Sequence, residues 1–221
     1  MRNSGSHVVT WGARGVLVAW LSLLPGILWA TPDDDYRDGK KFLDRGDLID
    51  AMPFLKKAAD AGHAPAQALY AYILDKSESD DEAVAYYKKA IAQGNADAQF
   101  GLAGMLMGAE GVPADIPEGR RLFLLAAEQG HEQATIVLSL AYMNGGLELT
   151  DAERKGPDAI KWIKRAAEFK HVPSMERLAA AYRAGEFGLT VNPAEADRLT
   201  QRVNEILDID PNAPKKRRRK N

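Results

Sequence analysis

Residues 96–131 read ADAQFGLAGMLMGAEGVPADIPEGRRLFLLAAEQGH, and this stretch decides the fold. Two segments of helical apolar spacing flank a glycine- and proline-rich loop, and Gly130 closes the second. The landmarks recur along the chain. The small residues Ala51, Ala83, Gly119, Ala159 and Ala196 stand in register with Phe54, Tyr86, Leu122, Trp162 and Leu199. A third row is Leu55, Tyr87, Phe123, Ile163 and Thr200, and a fourth is Ala58, Ala90, Ala126, Ala166 and Val203. All four rows step by 32, 36, 40 and 37 residues. A period near 36 with three- and four-residue spacing inside it belongs to helix pairs stacked in file. The expected fold is all-α: a right-handed α-solenoid of stacked helix pairs with no β-sheet.

The spacing predicts helices over 36–45, from a cap at Asp47 to 61, and over 64–75, 79–93, 96–107, 116–129, 132–143, 157–169, 173–184 and 193–208. Ser79 with Glu82 three residues on has the spacing of a capping box. Gly62, Gly94 and Gly130 fall where second helices end, the place for a left-handed residue, and Lys170 replaces glycine once. Counting from that position, the residue four on is Ala66, Ala98, Ala134 or Ser174, and eight on is Tyr70, Leu102, Leu138 or Leu178. Residues four apart share a helix face, so these rows form a packing stripe. The chain divides into 1–30, an atypical first helix pair at 31–63, a repeat array at 64–208 and a basic tail at 209–221.

The chain has 221 residues, 46% of them hydrophobic, enough for one quasi-linear array of about five units. It contains no cysteine, which excludes disulfides, thiolate metal sites and a lipid anchor on cysteine. The net charge of −2 hides an asymmetry. Between Thr31 and Pro214 lie 21 basic and 31 acidic residues, a net of −10, while Lys215, Lys216, Arg217, Arg218, Arg219 and Lys220 form a run of like charge. An acidic body argues against phosphate-backbone binding by the repeats, and no nucleic-acid partner is expected.

At the N-terminus Arg2 and Arg14 precede the apolar run 16–24, then Pro25-Gly26 and a small residue, Ala30. That order is the order of a secretory signal, with cleavage expected after Ala30. The other reading is an uncleaved anchor: Trp11 and Trp29 would stand about 27 Å apart on a helix, near the thickness of the hydrocarbon core. Either way the repeats are expected outside the cytoplasm, in the periplasm or beyond, or tethered to the inner membrane.

Gly108-Ala-Glu-Gly-Val-Pro113, Ala126-Ala-Glu-Gln-Gly130, Ala166-Ala167 and Ala141-Tyr-Met-Asn-Gly145 give the chain a family look. From Ala64 to Asn204 it resembles the Sel-one-like repeat family, relatives of the tetratricopeptide fold. Departures are the short loop after Asp75 and the long one from Gly145 to Gly156. The resemblance implies an adaptor that binds other proteins, in exported bacterial members during envelope assembly, secretion, polysaccharide export or signalling. It supplies no catalytic motif and no cofactor.

Enzymatic signatures are missing. No serine has lysine three residues on, and there is no G-x-S-x-G, H-E-x-x-H or phosphate-binding glycine loop. An envelope hydrolase of β-lactamase or cell-wall type is the alternative class. His63, His131 and His171 occupy equivalent places just after a helix end, one repeat or more apart, so they are expected to be turn residues that cap or pack locally, and no metal site is expected. In tetratricopeptide-like geometry, residues six, ten and thirteen after the closing glycine face a concave groove. These are Ala68, Tyr72 and Asp75, then Phe100, Gly104 and Met107, then Ile136, Leu140 and Met143, then Glu176, Ala180 and Arg183. Of these, Tyr72, Phe100, Met107, Ile136, Leu140, Met143, Glu176 and Arg183 are the candidates for contact with a protein partner, an envelope protein or the outward domain of a membrane sensor. Two readings stay open: a groove for an amphipathic helix or extended peptide, or packing against the neighbouring unit. The run from Lys215 to Lys220 is a candidate for contact with anionic lipid, glycan or the acidic body of another copy, or is a solvated tail with no specific role.

Overall fold

A computed structural model describes residues 30–108 and 112–208. The N-terminal segment read as a secretory signal or anchor, with Trp11 and Trp29, part of the 108–113 loop, and the basic tail lie outside the described residues. The architecture is that of the body beginning at Thr31.

Five helix pairs follow one another. They are α1 (Pro32–Asp44) with α2 (Leu48–Asp60), α3 (Ala64–Lys76) with α4 (Asp80–Ile91), and α5 (Ala96–Leu106) with α6 (Ile116–Glu128). Then come α7 (Glu132–Asn144), a four-residue α8 (Asp151–Arg154) and α9 (Pro157–Glu168), and lastly α10 (Val172–Ala184) with α11 (Pro193–Ile206). A 3-10 turn spans Glu186–Gly188. Among the described residues there is no strand. Each first helix packs on its own second helix, each second helix on the next first helix, and α3 also meets α5 as α7 meets α10. That is the all-α solenoid expected from the period.

One local device joins pair to pair. Gly130 takes φ +89°, its N–H bonds to the Ala127 carbonyl, and the His131 N–H bonds to the Ala126 carbonyl. This is the Schellman closure. His131 then caps α7, its Nδ1 accepting the Ala134 N–H at 3.1 Å. One residue therefore ends a helix and starts the next, leaving a turn too short to slip. His63 and Asn95 repeat the arrangement, accepting from Ala66 and Ala98. At the fourth junction Lys170 adopts the left-handed conformation itself, with φ +61°.

The core is the rows read from the sequence. Ala51, Ala83, Ala159 and Ala196 are fully buried, as are Ala58, Ala90, Ala126 and Ala166, and the large members Tyr86, Tyr87, Leu122, Phe123, Trp162 and Ile163 are buried beside them. Alternation of alanine with large side chains lets the helices approach closely while filling the space between. The stripe of small residues on the first helices, Ala66, Ala98, Ala134 and Ser174, is fully buried as well.

One local feature differs from the sequence expectation, and a second adds to it. Ser79 is the N-cap of α4 but makes no side-chain cap bond, because its φ −97°, ψ 55° departs from the extended conformation that aims a cap oxygen at the first turn. Capping boxes form at Thr31 with Asp34 and at Thr150 with Glu153 instead, both on extended caps. The long loop after Gly145 is also built rather than loose. Leu147 is buried at φ +51°, Glu153 is bonded to Arg120 of α6 at 2.5 Å, and Arg154 donates to the Met143 carbonyl at 3.0 Å, closing the end of α7. Three hydrogen bonds hold the Glu153 carboxyl down at a pKa of about 2, first from Arg120 and then from the backbone N–H and the hydroxyl of Thr150.

Candidate functional site

The first helices α1, α3, α5 and α7 leave a cavity of about 710 Å³ on their shared face. Tyr36 and Lys40 of α1 line one end, and Phe100, Gly101 and Gly104 of α5 the floor and far wall, with His131 and Gln133 beyond. Tyr72 of α3 stands between them with 52% of its surface exposed, a large aromatic held in water at the centre of a concavity. A smaller cavity of about 360 Å³ shares Leu69, Tyr72 and Lys76 with the first and continues to Leu43 and Leu48. Ile49, beside Leu48, is 88% exposed. Leu43, Leu69, Tyr72 and Phe100 thus make a largely apolar trough across three units, the kind of surface that proteins cover with a partner.

The walls are rigid because their side chains are held from behind. The Phe100 ring stacks on His131 at 4.6 Å between centroids and tilts against Phe123 at 5.6 Å. Tyr36 and His63 make the equivalent pair one end away, at 4.7 Å. Each imidazole also reaches a carboxylate of the preceding unit: His63 Nε2 to Asp33 at 2.8 Å, and His131 Nε2 to Asp97 at 3.3 Å. Since Nδ1 accepts a backbone N–H, the ring proton sits on Nε2 and is donated to the carboxylate. The bond from His131 lowers the Asp97 pKa below its ordinary value. Asp75 is paired with Lys76 at 3.0 Å.

The structure distributes the sequence-derived candidates unevenly. Tyr72 and Phe100 come together in the cavity, with Ala68, Asp75 and Gly104. Ile136 and Leu140 are half-buried on α7, outside the cavity lining. Met143 lines a separate cavity of about 520 Å³ beside Arg154, Arg177 and Phe187. Met107 lies against Gly119 of its own hairpin, where an added Cβ would stand 3.1 Å from its sulfur. Arg183 donates to Asp197 and Thr200 of α11, and Glu176 is exposed on α10. For Met107, Met143 and Arg183 the reason is angular, and Asp75 is the member of that row that still lines the cavity. At about 100° per residue, the position thirteen after the glycine lies roughly 60° round the helix from the position ten after it. Positions three after the glycine, represented by Pro65, Asp97 and Gln133, face the cavity instead. Their signal was available in the sequence as the same 100° step taken backwards from Tyr72, Gly104 and Leu140.

Away from the groove, His171 Nδ1 lies 2.7 Å from Ser174 Oγ, which in turn meets Ser139 Oγ at 2.7 Å. Both serines are fully buried, so this relay ties α7 to α10 and no substrate reaches it. Among the described residues no group of three or more His, Asp or Glu side chains is placed to hold a metal ion, and no helix is long and apolar enough to cross a membrane.

A family model described as Sel1 repeat matches residues 36–63, 64–95, 96–131, 133–168 and 172–198. Its first segment takes in the pair set apart as atypical in the sequence. Among solved structures, the chain is similar to a Sel1 repeat protein from Oxalobacter formigenes, with a TM-score of 0.61 and 21% identity, covering 79% of this chain and 71% of that one. It is also similar to c5321, a protective antigen present in uropathogenic Escherichia coli strains displaying an SLR fold, with a TM-score of 0.52 and 22% identity. That match covers 80% of this chain and 46% of the antigen, so the chain spans under half of it. Both likenesses are likenesses of fold.

Proposed function

The chain belongs to the Sel1 repeat family, and on that premise we propose that it is an exported adaptor that binds a protein partner through the trough on its first helices. The observation that carries this reading is Tyr72, a tyrosine left 52% exposed at the centre of a preformed concavity whose other walls are braced. Solvent-facing aromatics in a rigid, apolar, concave setting are the usual anchors of protein recognition, because burying them on association releases water at small entropic cost. The partner is an envelope protein or the outward domain of a membrane sensor, and the complex forms by equilibrium binding with no chemical step. The export assignment rests on the order of charges, apolar run and small residue in the first 30 positions.

A photo-crosslinking residue placed at position 72 in cells tests the reading. A discrete protein adduct is expected there, and none from position 125, where Leu125 is exposed on the second-helix side. Adducts at 125 with none at 72 would place the working surface on the other face. Recovery of the chain in the cytoplasmic fraction would remove the export assignment.

A further inference from the structure

Gly104 is the odd member of the trough's central row. At the position ten after the closing glycine, or its equivalent, the first helices carry Lys40, Tyr72, Gly104, Leu140 and Ala180. Gly101, three residues earlier on α5, has a local reason to be glycine: an added Cβ would stand 2.4 Å from the Tyr87 ring, which occupies that space. No such reason exists at Gly104. A Cβ built there meets nothing within 4 Å, the backbone is helical, and the residue is exposed on the cavity lining. Glycine inside a helix is less favourable than alanine because it loses more backbone freedom on folding. Neither packing nor backbone geometry calls for it. What the missing side chain does provide is depth, in the cavity that Tyr72 and Phe100 wall.

We propose that this depth is a subsite for one bulky apolar side chain, aromatic or leucine-like, presented by a partner segment that carries a carboxylate on the α1 flank of that side chain. The inference rests on the trough being the binding surface and deepens that reading. The charge requirement follows from the lining. Asp75 is paired with Lys76, and Asp97, which accepts a hydrogen bond from the neutral His131, keeps its charge at the far end, whereas Lys40 lines the α1 end with no ion pair among the described residues. A segment with a carboxylate there meets an unmatched cation, and its apolar residue falls on the bare surface of Gly104. A cavity of about 710 Å³ lies in the size range of sites that enclose a ligand group together with part of its backbone.

The test uses a peptide carrying fluorescein on its N-terminal amine, Glu-Ala-Ala-Trp-Ala-Ala-amide, and the same peptide with alanine for tryptophan, titrated against the purified chain by anisotropy. Saturable binding of the tryptophan peptide is expected, at least tenfold tighter than the alanine control. Gly104→Leu fills the subsite from within. It should weaken the tryptophan peptide at least tenfold while keeping Tm unchanged or raising it by about 2 °C, as expected when a helical glycine with open space is replaced. Lys40→Glu should weaken it severalfold. Equal binding of both peptides, no saturable binding, or unchanged affinity in Gly104→Leu would each overturn the subsite. A fall in Tm on Gly104→Leu, repeated by Gly104→Ala, would show a packing role and overturn it too. Crosslinking at position 72 without peptide binding leaves the trough as the binding surface and removes only the subsite.

Discussion

His131 Nε2 lies 3.3 Å from Asp97 Oδ1, so the residue that caps α7 also holds the first turn of α5. The cap and the tie can be separated. His131→Asn keeps a side-chain cap, as Asn95 does in the preceding unit at 2.8 Å, and gives up only the tie. His131→Ala loses both and should cost about 1–2 kcal/mol in urea unfolding, the usual loss for an N-cap. His131→Asn should fall well short of that. Equal losses for the two variants would show that the cap contributes little.

His171 gives the fold a pH dependence near neutrality. Burial lowers its pKa below the ordinary value of 6.5. As pH falls through about 6.5 the unfolded chain takes up a proton that the folded chain refuses, so stability declines there, whereas above that range the group has no effect. Asp60, Asp97 and Glu128 act lower down. Their pKa values are lowered chiefly by hydrogen bonds from Lys56, His131 and Lys161 respectively. Their stabilisation is present above the ordinary carboxylate range and is lost as pH falls below about 4. The urea midpoint should drop between pH 8 and 5.5, and His171→Asn should flatten that drop. An unchanged slope would assign it elsewhere.

Among the described residues Trp162 is the largest fully buried side chain, and its Nε1 has no hydrogen-bond partner there. A buried unsatisfied N–H costs about 1–3 kcal/mol, which offsets part of what the ring contributes by packing. Trp162→Phe removes that cost together with some volume and should change stability by under about 1.5 kcal/mol. Trp162→Ala empties the site and should cost about 3–5 kcal/mol. Chemical denaturation of the two variants measures the difference, and a loss in Trp162→Phe close to that in Trp162→Ala would point to an unseen partner for the indole.

Gly101 and Gly104 lie one turn apart on α5 and should respond oppositely to alanine. At Gly101 the new methyl meets the Tyr87 ring, and overpacking of this kind costs about 1–3 kcal/mol. At Gly104 it meets nothing. Thermal unfolding of Gly101→Ala and Gly104→Ala should therefore move Tm down and level-or-up respectively. Tyr87→Leu should recover part of the Gly101→Ala loss by withdrawing the ring.

The stacking was legible because it is written in residue size: close approach is made at Ala58, Ala90, Ala126 and Ala166, all fully buried, with Val203 in the same place in the last unit. The histidines were legible as turn residues for a related reason, since they follow a left-handed position at each junction. Other features were not. Gln93 donates to Gln67 at 2.8 Å and Gln129 to Gln99 at 2.8 Å, a cross-hairpin pair repeated in two units. In sequence these glutamines look like surface residues, and nothing there shows that Gln67 and Gln99 are buried beneath the exposed Gln93 and Gln129 that donate to them. The α8 insertion was hidden because a single turn has no apolar period to read, and its stability comes from Arg120 on a distant helix. The groove was half legible. Helical geometry pointed to Tyr72 and Phe100, but the direction of the trough depends on how far each helix is rotated about its axis, and that is set by packing between units.

The central claim is that this molecule works by the surface around Tyr72, and one substitution tests it most directly. Tyr72 is exposed, so Tyr72→Glu should leave the fold within about 0.5 kcal/mol of the parent protein in urea unfolding. The account predicts that the protein crosslinked at position 72 no longer co-purifies with this variant from native envelopes. Full recovery of that protein with a stably folded Tyr72→Glu chain would contradict it.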